Sequence, residues 1–211
     1  LIIDPGLLDL NSNRFEIESV SLSDANVLAE LFLSSSASTS SSKEASSPSS
    51  LNVVVKDITF KNVNAHYKNT NGSSSVGNAI NFDNIKLSNF STKINDVVFN
   101  DLEILANIKS LSVEEQSGLK INSLKANVKY GDEETFVKDL YLETPNTLLR
   151  DELILKYKSK SDLTDDLEKV DLSINLDRST IGFEDILKIA PQLINTVPFN
   201  HYPKAKLYAN T

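Results

Sequence analysis

Ile108-Lys109-Ser110-Leu111-Ser112-Val113 reads apolar, polar, polar, apolar, polar, apolar. Side chains alternate between the two faces of a strand, so Leu111 and Val113 share a face. Ile108 joins them only if one extra residue is absorbed before Leu111, as in a strand with a β-bulge or one turning a corner. The same pattern stands at Ile17-Glu18-Ser19-Val20-Ser21-Leu22, Val55-Lys56-Asp57-Ile58-Thr59-Phe60 and Phe82-Asp83-Asn84-Ile85-Lys86-Leu87. It returns at Phe99-Asn100-Asp101-Leu102-Glu103-Ile104, Ile121-Asn122-Ser123-Leu124-Lys125-Ala126 and Val137-Lys138-Asp139-Leu140-Tyr141-Leu142. In most copies Asp, Asn or Ser precedes the middle apolar residue. Alternation of this kind describes strands buried on one face and wetted on the other, the habit of antiparallel sheets. The copies start at 17, 55, 82, 99, 108, 121 and 137. That spacing is irregular, which excludes a solenoid of repeats with a fixed period of roughly 20–29 residues.

The expected fold is therefore mainly β: an elongated, curved, largely antiparallel sheet whose bulged strands form an open apolar groove, plus a short C-terminal helix. First strands fill 1–33. Residues 34–50 are almost all Ser, Thr, Ala, Lys, Glu and Pro, too polar to offset the entropy of ordering them, and read as a flexible loop. The sheet body spans 51–178, with polar loops at Lys68–Asn78 and Ser159–Asp166. Residues 179–211 supply a short helix followed by a strand. Phe183, Ile186, Leu187, Ile189, Ala190, Leu193 and Ile194 follow a helical stripe, and Pro191 breaks it because proline has no N–H to donate. Asp24–Leu33 fits helix or strand. The whole reads as one continuous domain of a longer protein, since the chain starts at Leu1 without a methionine and ends in strand-like text, Ala205-Lys206-Leu207-Tyr208-Ala209.

Composition narrows the function. The chain has 211 residues, 29 acidic against 21 basic, for a net charge of −8. That balance argues against nucleic acid and against affinity for anionic membrane surfaces. No cysteine is present, so there is neither a disulfide framework nor a thiolate metal site, a usage compatible with an oxidising compartment. No stretch reaches the length of a membrane-spanning helix. His66 and His201 lie in distant segments, without ligands at metal spacing. The acidic pairs Glu114-Glu115, Asp151-Glu152 and Asp165-Asp166, and Asp132-Glu133-Glu134, suit a solvated surface better than a paired-carboxylate site. The glycines form no phosphate-binding loop and no nucleophile elbow. Asn71-Gly72-Ser73 and Asn89-Phe90-Ser91 match the glycosylation sequon, a pattern short enough to arise by chance. The expectation is a protein without catalytic residues, metal or cofactor.

Leu111-Ser112-Val113-Glu114-Glu115-Gln116-Ser117-Gly118-Leu119 resembles the LSxxEQSGF segment of the TamB/AsmA-like family in its Bacteroidetes-type form, with Leu119 in place of the phenylalanine. Ile58 to Tyr67, Ile80 to Phe90, Leu140 to Thr147 and the helix-like Phe183–Ala190 follow in a similar order. The resemblance covers roughly residues 15–33 and 51–211, and Glu115, Gln116, Ser117, Gly118 and Leu119 are its distinctive part. It implies the N-terminal, AsmA-like portion of a periplasmic protein anchored in the inner membrane by a segment not present here. It further implies a long sheet folded into an apolar groove, phospholipid as cargo, and a role in outer-membrane biogenesis and protein secretion. A β-barrel assembly partner would bind through a region outside these residues.

A one-sided apolar sheet must bury its face on something, and acyl chain is a suitable occupant at about 0.8 kcal/mol per buried CH₂. The residues expected to line that face are Ile58, Phe60, Ile85, Leu87, Leu102, Ile104, Leu124, Ala126, Leu140 and Leu142. Each is equally at home in an ordinary sheet core. The alternative is a β-rich scaffold or binding domain for protein or surface polymer, with no lipid conduit. Strand spacing of roughly 8–12 residues would favour that sandwich-like alternative, and the copies do not keep it. A carbohydrate-active enzyme would want aromatic platforms, and the chain has no tryptophan.

Overall fold

The computed structural model describes residues 1–9, 13–31, 52–70, 79–165 and 167–210. It is mainly β. The strands are β1 (Ile2–Asp9), β2 (Arg14–Ser23), β3 (Asn26–Leu31), β4 (Asn52–Asn69), β5 (Asn84–Phe99) and β6 (Glu103–Glu115). They continue with β7 (Lys120–Gly131), β8 (Glu134–Glu143), β9 (Leu148–Lys156), β10 (Asp171–Leu176), β11 (Ser179–Gly182) and β12 (Lys206–Ala209). One turn of helix, α1, occupies Asp162–Asp165, and α2 occupies Phe183–Ile189, followed by a 3₁₀ turn at Pro191–Asn195. All 12 strands join a single open sheet, β1-β2-β4-β5-β6-β7-β8-β9-β11-β12, with β3 beside β4 and β10 beside β9.

From β4 to β9 consecutive strands pair antiparallel. The exception is at the N-terminal side, where β2 and β3 both run parallel to β4. Ile17 pairs with Val55, Phe60 with Leu22 and Ala65 with Val27, a constant offset of the kind one interrupted strand would have. Asp24–Leu33 is thus strand over the described residues 26–31. The expected Ser34–Ser50 loop, and Asn71–Asn78 of the second one, fall outside the described residues. Within Ser159–Asp166 the chain is not all loop, because α1 forms there. The 179–211 unit opens with β11, which precedes the helix.

Register shifts mark bulges in the copies at 17, 108, 121 and 137, the copy at 55 shows none, and the copies at 82 and 99 begin at turns. Register shifts fall beside Ile17–Val20, between Ile108 and Leu111, between Leu111/Val113 against β7, and between Val137 and Leu140. Lys56 keeps register with both neighbours, because Asp96 opposite it takes the left-handed conformation (φ 54°). The copies at 82–87 and 99–104 instead begin with hairpin turns. There Asn81 and Asn100 accept hydrogen bonds from the backbone two or three residues on, the local bonding that makes Asn a turn residue.

Asn62, Asn89, Asp96, Asp139 and Asp151 all have positive φ within or beside strands. Asx residues tolerate this region better than other side chains with a Cβ. Two of the most buried apolar residues, Val63 and Leu140, directly follow such a residue.

Candidate functional site

The register sorts the side chains. Paired residues in a sheet face the same way, so partners can be followed from strand to strand. One row runs Leu22, Phe60, Thr92, Leu111, Leu124, Leu142, Leu149 across seven strands. A second runs Ile3, Val20, Ile58, Ile94, Ile108, Ala126. A third runs Phe15, Val53, Phe99, Ile104, Tyr130, Thr135, Leu155, Leu172. Thr92 is no break in the first row, because its hydroxyl donates to Ser110 O at 2.9 Å.

The opposite face is mixed: the row Glu16, Val54, Val98, Leu105, Lys129, Phe136, Ile154, Ser173 carries apolar side chains there, and its neighbour is polar. Asp4, Ser19, Asp57, Asn95, Asn107, Asn127 and Lys138 form one row there. Asn95 Nδ2 donates to Asp57 at 2.9 Å, and Asn127 Nδ2 donates to Asp139 at 2.6 Å. Lys56 Nζ meets Glu18 at 2.6 Å, and that hydrogen bond raises the Lys56 pKa above its ordinary value. His66 sits on this face, half-buried, with Nε2 2.7 Å from Asn84 Oδ1.

No second sheet covers the apolar face among the described residues. Their buried hydrophobic side chains are only Val55, Val63, Ala126, Leu140, Tyr157 and Leu176. The central apolar residues Ile58, Phe60, Ile94, Ile108, Leu111, Leu124 and Leu142 are half-buried. Phe99, Ile104, Tyr130, Leu172 and Ile174 are exposed. Two adjoining layers would have sealed these positions. Contiguous exposed apolar surface of this kind is where soluble proteins most often meet a partner or ligand.

Of the ten side chains expected on this face, Ile58, Phe60, Ile85, Leu87, Ile104, Leu124, Ala126, Leu140 and Leu142 lie on strands with their apolar neighbours. Ile85 pairs with Tyr67 and Leu87 with Ala65. Leu102 does not: it sits 66% exposed in the β5–β6 turn. Ala126 and Leu140, at 4% and 6% exposed, are already covered by the protein itself. Missed by the sequence reading were Ile94 and Val97. Their segment Ile94-Asn95-Asp96-Val97 carries the same two-polar interruption and would have revealed them.

Glu115 to Leu119 forms the β6–β7 turn. Gly118 takes φ 84°, and its N–H donates to Glu115 O at 2.8 Å. Gln116 Nε2 reaches Asn84 O at 2.7 Å, tying the turn to β5. Glu115 is buried, accepts from Ser117 N through Oε2 at 2.7 Å, and leaves Oε1 without a partner. Through Oε2 it helps to close the turn. Among the described residues no group of acidic, His or Cys side chains could hold a metal. No helix among them is long and apolar enough to cross a membrane.

The most polar buried cluster is at the other end. Asp185 of α2 accepts from Thr144 Oγ1, from Thr147 Oγ1 at 2.8 Å and from Asn146 Nδ2 at 3.3 Å. Thr147 Oγ1 in turn accepts from Gly182 N at 3.0 Å. These bonds are all internal, so the cluster reads as a clamp between the β8–β9 turn and the C-terminal unit. Nothing in the sequence marked Asp185 out, since Glu184-Asp185 also suits the exposed first turn of any helix.

No protein-family model, curated protein or solved structure matches the chain.

Proposed function

We propose that this sheet shelters the acyl chains of phospholipid, as a segment of a TamB/AsmA-like periplasmic protein that serves lipid transport between membranes and outer-membrane biogenesis. The observation that carries the proposal is the set of predominantly apolar rows, over which no further layer lies among the described residues. The Leu22-to-Leu149 row crosses seven strands, about 29 Å at the ~4.8 Å strand spacing. One bilayer leaflet is about half of a ~30 Å hydrocarbon core, so an extended acyl chain fits within the row. Apolar contact of this sort asks for no directional partner, in keeping with a face whose only polar member in that row, Thr92, is satisfied by the backbone. The Asp57-Asn95-Asn107-Asn127 row on the opposite face suits contact with water, and the resemblance in the β6–β7 turn supports the same reading.

The test is mass spectrometry of lipid extracted from the purified chain, compared with Leu124→Glu/Leu142→Glu. Both positions are half-buried, so the charges can reach solvent, and the repulsion of two carboxylates directly opposite each other costs only about 1 kcal/mol, which the sheet should survive. Phospholipid in the parent and its loss in the folded variant are expected. A parent free of lipid, and unable to take up added phospholipid, would leave a scaffold in place of a conduit.

A further inference from the structure

Residues 183–205 leave the sheet between β11 and β12, whose pairing runs Gly182 to Lys206. The excursion is held at its base. Phe183 packs on Phe199 with ring centroids 4.5 Å apart, Phe183 N donates to Ala205 O at 3.0 Å, and Asp185 binds the β8–β9 turn. With those groups turned inward, the outside presents large apolar side chains, Ile189 51% exposed, Ile194 41%, Val197 73% and Tyr202 64%, among the uncharged polar Gln192, Asn195, Thr196 and Asn200. The charge here also departs from the rest of the chain. Residues 186–211 hold Lys188, Lys204 and Lys206 and not one acidic residue, in a chain of net charge −8. Lys188 is engaged with Gly118 O at 2.9 Å. Lys204 and Lys206 are exposed, although Lys206 shares a cleft with Glu143, whose carboxylate already accepts from Tyr141.

We propose that this excursion is a membrane-docking surface that seats on an anionic bilayer, with Ile194, Val197 and Tyr202 entering the headgroup boundary and Lys204 and Lys206 against lipid phosphate. Exposed aliphatics with an amphipathic tyrosine and flanking lysines suit the interface, where one end of each side chain is apolar and the other wet. The net charge of the whole chain points the other way, but binding to a surface is decided within a Debye length, about 8–10 Å at ordinary salt, by the groups that face it. The inference stands whether or not lipid occupies the sheet.

The chain has no tryptophan, so Val197→Trp provides a lone reporter in the otherwise unchanged 211-residue protein. Its emission is expected to shift to the blue with vesicles of equimolar phosphatidylglycerol and phosphatidylcholine, and to return in high salt. Phosphatidylcholine alone should give a far weaker shift. Lys204→Gln/Lys206→Gln should reduce vesicle partitioning about 30-fold, at roughly fivefold per lysine near an anionic surface. A second reporter, Ile174→Trp on the sheet's apolar face, should respond to both vesicle types alike and keep any shift in high salt, since the sheet meets lipid through its acyl chains. Emission unmoved at Val197→Trp, equal shifts of that reporter with both vesicle types, or a response at Ile174→Trp alone would overturn the proposal and give the patch to a protein partner.

Discussion

At the residue scale the sheet depends on Asn and Asp in places where other side chains are strained. Asp96 sits at φ 54° in β5, opposite Lys56, and is exposed. The left-handed region costs an ordinary L-residue about 1–2 kcal/mol, and more where the side chain branches at Cβ. Asp96→Val is therefore expected to lower stability by about 1–2 kcal/mol, whereas Asp96→Gly should be neutral within a few tenths. Urea unfolding of the two variants beside the parent checks this, and equal effects of Val and Gly would contradict the backbone account. Part of this was legible in the sequence. The Asp, Asn or Ser before the middle apolar residue of each copy marks the bend at Asp139, and the doubled polar residue marks the bulges near Ser110 and Ser123. What the letters could not show is which bends share a line. Asp24 and Asn62 meet through a 2.7 Å hydrogen bond from Asn62 Nδ2, although 38 positions separate them. That meeting follows from the parallel pairing of β2 and β3 with β4, a non-local choice with no local signature.

At the scale of elements, the hairpins from β5 to β9 follow from short turns such as Asn100–Leu102 and Gln116–Leu119. The C-terminal unit is tied on differently. β11 meets β9 through the single pair Thr180↔Leu148, so a ladder alone holds it weakly. Asp185 supplies the rest by gathering Thr144, Asn146 and Thr147 against α2. Gly182 permits the approach, since a Cβ there would lie 2.7 Å from Asn146 O. Asp185→Ala would leave two buried threonine hydroxyls without their acceptor, at a cost of about 3 kcal/mol. The expected result is earlier proteolytic cleavage within residues 183–205 while the β4–β9 body stays protected. Cleavage spread evenly over the chain would mean that the clamp supports the whole sheet instead. The sequence reading placed a helix at Phe183–Ala190, close to the observed Phe183–Ile189, because apolar period and Pro191 are local. It missed β11 and the clamp because a four-residue strand and one buried carboxylate carry no periodicity.

At the scale of the whole molecule the question is what offsets the open face. A one-sided strand is readable from alternation alone, which is why nine of the ten chosen side chains lie on strands of this sheet, six of them in the three apolar rows. Leu102 failed because a turn residue can mimic the pattern by position. Whether a face is sealed is not written in alternation, since a sandwich strand and an open-sheet strand carry the same letters. That distinction comes from the ladder, which keeps all 12 strands in one sheet and leaves residues such as Leu124 and Leu142 half-buried. An unsealed face forgoes part of the hydrophobic stabilisation that a second layer would supply, so an apolar occupant must add to stability. A ligand that binds only the folded state stabilises by about 2.7 kcal/mol at a hundredfold its Kd. For a chain of this size that corresponds to a rise of roughly 5–10 °C in Tm. A lysophospholipid below its micellar concentration should produce such a rise in the lipid-stripped protein. Leu124→Glu/Leu142→Glu should abolish the rise while leaving the starting Tm within a few degrees, because half-buried charges can turn to water. Val197→Asp, on the excursion, should retain the full rise, since that surface meets a bilayer and not a single lipid. A rise that survived the glutamates and vanished with Val197→Asp would move the lipid from the sheet to the C-terminal unit.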